Sequence, residues 1–156
     1  MSRPLQGIKV VDFSTLLPGP LCTLLLAEAG AEVIKVERLG GGDEMRSYTP
    51  RVGQDSVNFA LLNRGKRSVA LDLKTQKDRI IPLLREADVL VEQFRPGVMD
   101  RLGLGYAALK AVNPGLVYCA ITGYGQHGPR AQVAAHDLNY VAESGLLSLG
   151  APVVPP

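Results

Sequence analysis

The sequence predicts an α/β fold, an open and mostly parallel Rossmann-like sheet with helices on both faces. Two observations predict it. Short β-branched segments alternate along the chain with segments of helical periodicity, which is the pattern of βαβ units. In addition, 17 glycines and 11 prolines punctuate the 156 residues, as the tight connections of such a fold require. A chain of this length is enough for one domain with its own hydrophobic core.

The first strand–helix–strand unit fills the N-terminal part of the chain. Residues 8–13 are short and β-branched, which predicts a buried strand. Pro20 can begin a helix over residues 21–29, because the N–H that proline lacks would be unpaired in the first turn anyway. Gly30 then follows the helix as its left-handed residue. Residues 32–37 form the second strand, which a right-handed crossover connects to the first.

The remaining sequence continues the alternation. Residues 40–58 begin with three glycines and are polar, which predicts a loop or a flexible flap. Asp137 is the expected N-cap of the last helix. Residues 151–156 are rich in proline and predict the start of a linker to an absent remainder, so that the domain itself is residues 1–150. We expect further strands over residues 68–73, 89–92 and 116–122, and helices over residues 75–86, 98–102, 106–112 and 138–147.

Composition disfavours several classes of protein. A net charge of +2 is too weak to indicate binding of nucleic acid. No run of about 18 apolar residues occurs, so we expect no membrane association. The N-terminus lacks the apolar region of a signal peptide, which favours a cytoplasmic location. Cys22 and Cys119 lack the spacing of metal ligands or of a disulfide framework, so we expect no metal and two buried thiols.

Ligands of open parallel sheets bind at the carboxyl ends of the strands, where several segments carry suitable side chains. Residues 14–20 follow the first strand and form either a ligand-binding loop or a plain turn. Arg38 follows the second strand, where dinucleotide enzymes have an acid that holds ribose hydroxyls. An arginine there suits a ribose phosphate instead, unless it is a solvated surface residue. The cations of residues 64–67 form either a phosphate-attracting rim or a solvated edge.

Two later segments carry further candidates. Arg95 and Arg101, one helical turn apart beside Phe94, either face one site or mark the exposed start of a helix. His136 has a side chain that exchanges protons near neutral pH, but a histidine ahead of a helix cap is also commonly structural. His127 lies in a turn and is expected to be exposed.

Four blocks of the sequence resemble one family. They are VVDFSTLLPGP, NRGKRSVALDLK, VLVEQFRPGVMDRLGLGY and GYGQHGPRAQVAAHDLNY, which come in the family's order. Together they resemble the N-terminal part of the family III CoA transferases and the 2-methylacyl-CoA racemases, the CaiB/BaiF-like superfamily. Four ordered blocks are much more specific than one short motif.

The resemblance implies that the ligand is coenzyme A, bound as an acyl-CoA substrate without a metal. It places Arg38 at the nucleotide end of CoA, Leu73 beside the adenine and Lys74 at a phosphate. It places the FRPGV block along the pantetheine and phosphate path. The CoA-contacting residues that it implies are Leu17, Pro18, Arg38, Leu73, Lys74, Phe94, Arg95, Val98, Arg101, Tyr124, Gly125 and Asp137.

The resemblance also implies the reaction. We expect transfer of CoA between an acyl-CoA thioester and a carboxylic acid, because the long polar segment after Arg38 resembles that of the transferases. The alternative is a 2-methylacyl-CoA racemase, in which His136 takes or gives the α-proton, a step that needs a positioned base and an oxyanion-stabilising pocket. A third possibility is a CoA-binding fragment without catalytic activity. An NAD-binding domain is disfavoured because no GxGxxG follows the first strand.

In this family the decisive aspartate, nucleophilic in transferases and basic in racemases, lies in a later block that this chain lacks. We therefore expect the 156-residue fragment alone to be inactive. The resemblance further implies that the partners are acyl-CoA and a carboxylic acid acceptor, and that the full-length protein forms an interlocked homodimer.

Overall fold

Five parallel strands form the central sheet of the computed structural model, which describes residues 3–150. Numbered in chain order, its strands are β1 (Lys9–Asp12), β2 (Glu32–Glu37), β5 (Arg67–Ala70), β6 (Val89–Glu92) and β7 (Val117–Ala120). Two further short strands lie outside this sheet, β3 (Arg51–Val52) and β4 (Asp55–Ser56). The sheet has the order β5-β2-β1-β6-β7 with every neighbouring pair parallel, while β3 and β4 form a separate antiparallel hairpin. The predicted α/β fold is confirmed.

Helices cover both faces of this sheet. They are α1 (Pro18–Glu28), α2 (Val57–Asn63), α3 (Ile81–Glu86), α4 (Val98–Arg101), α5 (Tyr106–Val112) and α6 (Asp137–Glu143), with short 3₁₀ turns at Glu44–Ser47, Lys77–Arg79 and Leu146–Leu149. Alternate residues of β1 point to opposite faces, as the two-residue period of a strand requires. Val10 packs with Leu26 of α1, whereas Val11 packs with Leu84 of α3 and Leu109 of α5.

The first helix begins earlier than the sequence predicted, at Pro18 rather than Leu21. Two prolines lie in its first turn, where neither needs an N–H to pair. The helix ends at Glu28, one residue before the predicted end, and Gly30 follows it with a φ of 109°, as predicted. The helix predicted over residues 75–86 is divided into a 3₁₀ turn and α3, because Pro82 cannot donate to a preceding turn and so begins a new helix.

The loop or flap predicted over residues 40–58 contains short regular elements that the sequence did not predict. Asp43 caps the 3₁₀ turn Glu44–Ser47 by accepting a hydrogen bond from the Met45 amide at 2.9 Å. The hairpin of β3 and β4 follows, and Ser56 caps α2. These elements depend on polar caps and short pairings rather than on hydrophobic periodicity, so the sequence pattern did not reveal them.

The last helix also differs from the prediction. His136 is its N-cap and Asp137 its first residue, because Asn139 reaches back and accepts the His136 amide proton through its Oδ1 at 3.0 Å. The helix ends at Glu143 rather than at residue 147. Within residues 3–150, no helix is both long and apolar enough to cross a membrane. The linker predicted over residues 151–156 lies outside the described residues, and the domain boundary at residue 150 stays a prediction.

Candidate functional site

A cavity of about 640 Å³ opens at the carboxyl edge of the sheet. Its walls come from the segments that follow β1, β2, β5 and β6, which is where the sequence predicted a ligand site. The floor is apolar and is built from side chains that belong to the hydrophobic core, namely Phe13, Val36, Leu71 and Leu102. Such a combination of an apolar floor with a few polar groups at the edge is typical of sites for small molecules and cofactors.

Five of the residues that the sequence singled out line this cavity. They come from three separate parts of the chain and are Arg38, Leu73, Lys74, Phe94 and Val98. The cavity is thus apolar over most of its surface, with an arginine and a lysine on its walls. An anion with an attached flat apolar group would complement it.

Arg38 lies on the wall that the glycine-rich segment forms. Its Nε donates a hydrogen bond to the Gly42 carbonyl at 2.9 Å, and its Nη1 lies 3.8 Å from Glu44 Oε1. The side chain is 64% exposed, so solvent screens this ion pair strongly. The guanidinium therefore keeps donors for a ligand.

A tight turn presents Leu73 and Lys74. Asp72 accepts hydrogen bonds from the Lys74 amide at 3.0 Å and from the Thr75 hydroxyl at 2.8 Å. The hydrogen bond from Thr75, followed by that from the amide, lowers the pKa of the Asp72 carboxyl. The turn therefore remains closed at neutral pH with Asp72 ionised.

A buried carboxylate fixes the loop that carries Phe94. Glu92 ends β6, and its Oε2 accepts the Phe94 amide proton at 2.7 Å, while Tyr118 donates to Oε1 at 3.4 Å. Burial raises the pKa of the Glu92 carboxyl. This arrangement holds the backbone of Phe94 beside the N-terminal residue of α4, Val98, so that both side chains face one cavity.

The other predicted contact residues do not line the cavity. Leu17 and Pro18 stand at the start of α1, and Arg95 and Arg101 flank the cavity-lining residues of their block. The remaining predicted contact residues belong to the C-terminal segment and are Tyr124, Gly125 and Asp137. The proposed catalytic residue His136 belongs to the same segment. Whether these residues contact a ligand stays a prediction.

The C-terminal segment forms a small polar and aromatic cluster of its own. The ring of Tyr124 packs edge-to-face on Tyr140 at 5.3 Å, and the Arg130 guanidinium lies over Tyr124 at 4.1 Å. Arg130 also pairs with Glu143 at 2.5 Å. His136 lies at the exposed N-terminus of α6, where it is open to solvent.

The sequence left residues 64–67 open between a phosphate-attracting rim and a solvated edge, and in the structure they do not line the cavity as a rim. Lys66 is buried, and desolvation lowers the pKa of its amino group. Arg64 and Arg67 are exposed and pair with Glu28 and Glu32 respectively. Of these three cations, only Lys66 therefore enters the interior.

Sequence reasoning missed a set of buried charges next to the cavity. Lys35 lies within β2 and forms an ion pair with Asp43, Nζ to Oδ2 at 2.9 Å. A lysine in the middle of the β-branched segment EVIKVE was the available signal, since a strand covered on both faces has no solvent for a lone cation. The two thiols were also expected to be buried, but Cys22 and Cys119 are half-buried.

Glu37 connects this buried set to the cavity wall. Burial alone would raise the pKa of its carboxyl, but hydrogen bonds from Arg46, Ser68 and the Asp43 amide outweigh it and hold the pKa at about 2. Arg46 donates twice to Glu37, from Nε and Nη2 at 2.7 Å each. The same guanidinium stacks over Phe59 of α2 at 3.8 Å, so it joins α2 to the cavity wall.

Metal ligation has no evident site in the described part of the chain. Residues 3–150 contain no group of three or more histidine, cysteine, aspartate or glutamate side chains arranged to hold an ion. The cavity's charged residues instead pair with one another or face solvent.

Comparison with known proteins extends over nearly the whole chain. Residues 5–156 match the family model of CoA-transferase family III. Acetyl-CoA:oxalate CoA-transferase of Acetobacter aceti is 46% identical over 156 residues, covering 98% of this chain and 40% of that protein. Alpha-methylacyl-CoA racemase of Mus musculus is 46% identical over 148 residues, covering 92% of this chain and 34% of the racemase.

A solved structure has the same fold. The crystal structure of a CAIB/BAIF family protein from Brucella suis is similar with a TM-score of 0.89 and 40% identity, covering 97% of this chain and 42% of that one. The chain thus spans 34–42% of the length of these relatives.

Proposed function

This chain belongs to CoA-transferase family III, and from that membership we propose that it forms the CoA-binding part of an enzyme that transfers CoA between an acyl-CoA thioester and a carboxylic acid. The membership confirms the resemblance that four sequence blocks indicated. The oxalate CoA-transferase relative supports the choice of reaction.

The cavity at the carboxyl edge is the observation that carries the proposal. CoA combines an adenine ring with a ribose phosphate and a diphosphate, so it needs an apolar surface next to cations. The side chain of Leu73 would lie beside the adenine, Phe94 and Val98 would line the path of the pantetheine, and Arg38 and Lys74 would receive phosphates. A guanidinium suits this task because it can donate two parallel hydrogen bonds to one phosphate.

In this proposal the described residues bind and orient CoA. The nucleophilic aspartate that would attack the thioester carbonyl and release the CoA thiolate lies outside the 156 residues. The interlocked homodimer and the cytoplasmic location belong to the same proposal. Light scattering of the full-length protein would measure the oligomeric state.

Titration calorimetry with free CoA tests the binding site. Replacing Arg38 by alanine should weaken CoA binding by about tenfold or more, since a hydrogen bond to a charged group contributes roughly 1.5–3 kcal/mol. Arg85→Ala is the matched control, because Arg85 is an exposed arginine outside the cavity and should leave the affinity unchanged. Equal CoA affinity of the wild type and Arg38→Ala would show that Arg38 does not contact the nucleotide part of CoA.

A racemase is the second candidate, and one observation favours it. The mouse racemase is as similar to this chain, at 46% identity, as the oxalate CoA-transferase is. His136 is exposed at the start of α6, where it would be free to take an α-proton. Incubation of a 2-methylacyl-CoA with the full-length protein in deuterated water separates the candidates, because only a racemase exchanges the α-proton without an acceptor acid.

A CoA-binding fragment without activity is the third candidate. It predicts CoA binding in the calorimeter together with neither α-proton exchange nor CoA transfer to an added carboxylic acid. In the full-length protein, trapping with hydroxylamine gives the opposite result for a transferase, because it captures the acyl-enzyme that the aspartate forms.

A further inference from the structure

The turn after β1 has a conformation that its residues do not favour on their own. Leu16 has a φ of 60°, the left-handed region, although it is not a glycine. A residue with a side chain populates that region less than the right-handed one by a factor of about five to thirty. Thr15, immediately before it, lines the cavity. Other parts of the molecule must therefore hold the turn in place.

One buried ion pair contacts the backbone on both sides of Thr15. Asp43 Oδ1 accepts the Leu16 amide proton at 3.1 Å, and Lys35 Nζ donates to the carbonyl before Thr15, that of Ser14, at 2.6 Å. Asp43 Oδ2 and Lys35 Nζ lie 2.9 Å apart, and the two side chains are 0% and 1% exposed. The pair belongs to β2 and its following loop, so it fixes the turn to the neighbouring strand.

A side chain from the Phe94 loop holds the same turn from the other side. Gln93 donates from Nε2 to the Thr15 carbonyl at 2.6 Å and accepts the Gly19 amide proton through Oε1 at 3.1 Å. The backbone around Thr15 is thus fixed by residues that follow two different strands. Every one of these contacts reaches the backbone, which is the arrangement expected of groups that set geometry.

Stability alone does not account for the pair. Replacing a buried ion pair by apolar residues of similar volume is often neutral or stabilising, because desolvation offsets the attraction of the two charges. In this protein each charge also forms a hydrogen bond with a backbone group of the turn, which an apolar residue could not replace. The pair therefore fixes the conformation of the turn.

We propose that Lys35 and Asp43 are positioning residues for CoA: they hold the left-handed turn at Leu16 and so present Thr15 to the cavity. Asp43 also belongs to the cavity wall, but its side chain is 0% exposed and acts through the turn. The inference rests on the proposed function of the cavity. When a ligand binds only the correctly formed turn, its apparent affinity falls in proportion to the population of that turn. We call the Lys35–Asp43 ion pair, with its hydrogen bonds to the turn, the clamp. Loss of the clamp should therefore weaken CoA binding about five- to thirtyfold.

Two double variants that differ by one amide group test the clamp. Lys35→Met/Asp43→Asn removes both charges but keeps an oxygen that can accept the Leu16 amide proton. Lys35→Met/Asp43→Ala removes that acceptor as well. We expect CoA, measured by calorimetry, to bind the alanine variant at least fivefold more weakly than the asparagine variant.

Rescue by glycine makes the test specific for geometry. Leu16→Gly removes the bias against the left-handed region, so adding it to the alanine variant should recover most of the lost affinity. In the otherwise wild-type chain Leu16→Gly should change CoA affinity little, while Leu16→Val should weaken it, because a β-branched residue tolerates that region least.

A folded alanine variant that binds CoA like the wild type, or whose affinity Leu16→Gly does not restore, would overturn the proposal. If the double variants do not fold, an unchanged affinity of Leu16→Val overturns it.

Amide exchange separates this proposal from the proposed function. The Leu16 amide should exchange slowly in the wild type and in the asparagine variant, and quickly in the alanine variant. If the wild type bound no CoA, the proposed function would fail while the exchange rates still reported on the clamp. Equal protection of Leu16 in all three chains would overturn the clamp even if CoA bound.

Discussion

The amino group of Lys66 lies 3.3 Å from Asp12 Oδ2, and neither side chain is more than 2% exposed. The same Nζ donates to the Pro20 carbonyl at 2.8 Å and to the Thr23 hydroxyl at 2.7 Å. It also donates to Asn63 Oδ1 at 2.9 Å. One ammonium thus joins the end of β1, the first turn of α1 and the end of α2.

Replacing Lys66 by methionine should lower the free energy of unfolding by about 3–5 kcal/mol, because it leaves the Asp12 carboxylate buried without a counter-charge. Arg67→Gln is the control, since Arg67 pairs with Glu32 at the surface and should contribute less than about 1 kcal/mol. Urea unfolding followed by circular dichroism measures both. Similar losses in the two variants would mean that Lys66 is not a buried connector.

Gly19 should not accept a methyl group. An added Cβ would lie 2.1 Å from Ser14 Cβ and 2.8 Å from Gln93 Oε1. Gly19→Ala should therefore destabilise the protein by about 1–3 kcal/mol through overpacking, although alanine in a helix is usually better than glycine by about 1 kcal/mol.

Gly115→Ala provides the comparison for Gly19→Ala. The nearest atom to a Cβ added at Gly115 is Asn113 Oδ1 at 3.6 Å, an ordinary contact, so its urea midpoint should stay within error of wild type. A stabilised Gly19→Ala variant would contradict the close packing of α1 on the turn after β1.

Stability should fall in acid because of Glu37. The folded state lowers the pKa of this carboxyl from 4.5 to about 2, so the unfolded chain takes up the proton first. The stabilisation is complete above about pH 5 and is lost as the pH falls towards 2, to a total of about 3 kcal/mol. Urea titrations at several pH values between 2 and 6 measure the slope.

Glu37→Gln should flatten the pH dependence in that window, since a glutamine does not titrate. Glu86→Gln is the control: Glu86 is exposed and pairs with Lys9 at the surface, where solvent screens the interaction. The control should keep the wild-type slope. A wild-type slope in Glu37→Gln would assign the acid sensitivity to another group.

Arg38 should recognise the ribose phosphate of CoA. The wild-type chain should prefer CoA to 3′-dephospho-CoA by about tenfold or more, given the strength of charged hydrogen bonds. In Arg38→Ala this preference should disappear, because the two ligands then meet the same site. Calorimetry with both ligands gives the ratio.

Lys74→Ala serves as the second arm of that comparison. If Lys74 faces a different phosphate, its loss weakens both ligands equally and leaves the preference unchanged. If the preference for CoA over 3′-dephospho-CoA is kept in Arg38→Ala but lost in Lys74→Ala, then Lys74 rather than Arg38 recognises the ribose phosphate.

The elements that the sequence predicted best are those that local patterns define. Residues 32–37, 89–92 and 106–112 were predicted with the bounds that the structure has. Short β-branched runs mark the two strands, and Gly105 and Pro114 flank the helix. The candidate cavity followed from the same logic, since strand ends locate the carboxyl edge.

Long-range contacts explain what the sequence did not reveal. The RGKR segment has the pattern of a solvated cationic rim, and only the approach of Asp12, 54 residues earlier, shows that Lys66 is internal. Likewise, Asp43 looks like an ordinary loop residue until Leu16 and Lys35 are brought to it. The periodicity of the sequence does not reveal such long-range contacts, because they depend on the order of the strands in the sheet.

The order of the strands also has a consequence for synthesis on the ribosome. The central strand β1 pairs with β2 on one side soon after both emerge, but its other side waits for β6, whose start is fixed by the contact of Lys9 with Asp88, 79 residues later. At roughly 5–20 residues per second this takes on the order of 4–16 seconds. During that interval the nascent chain carries an unpaired strand edge at what becomes the centre of its sheet.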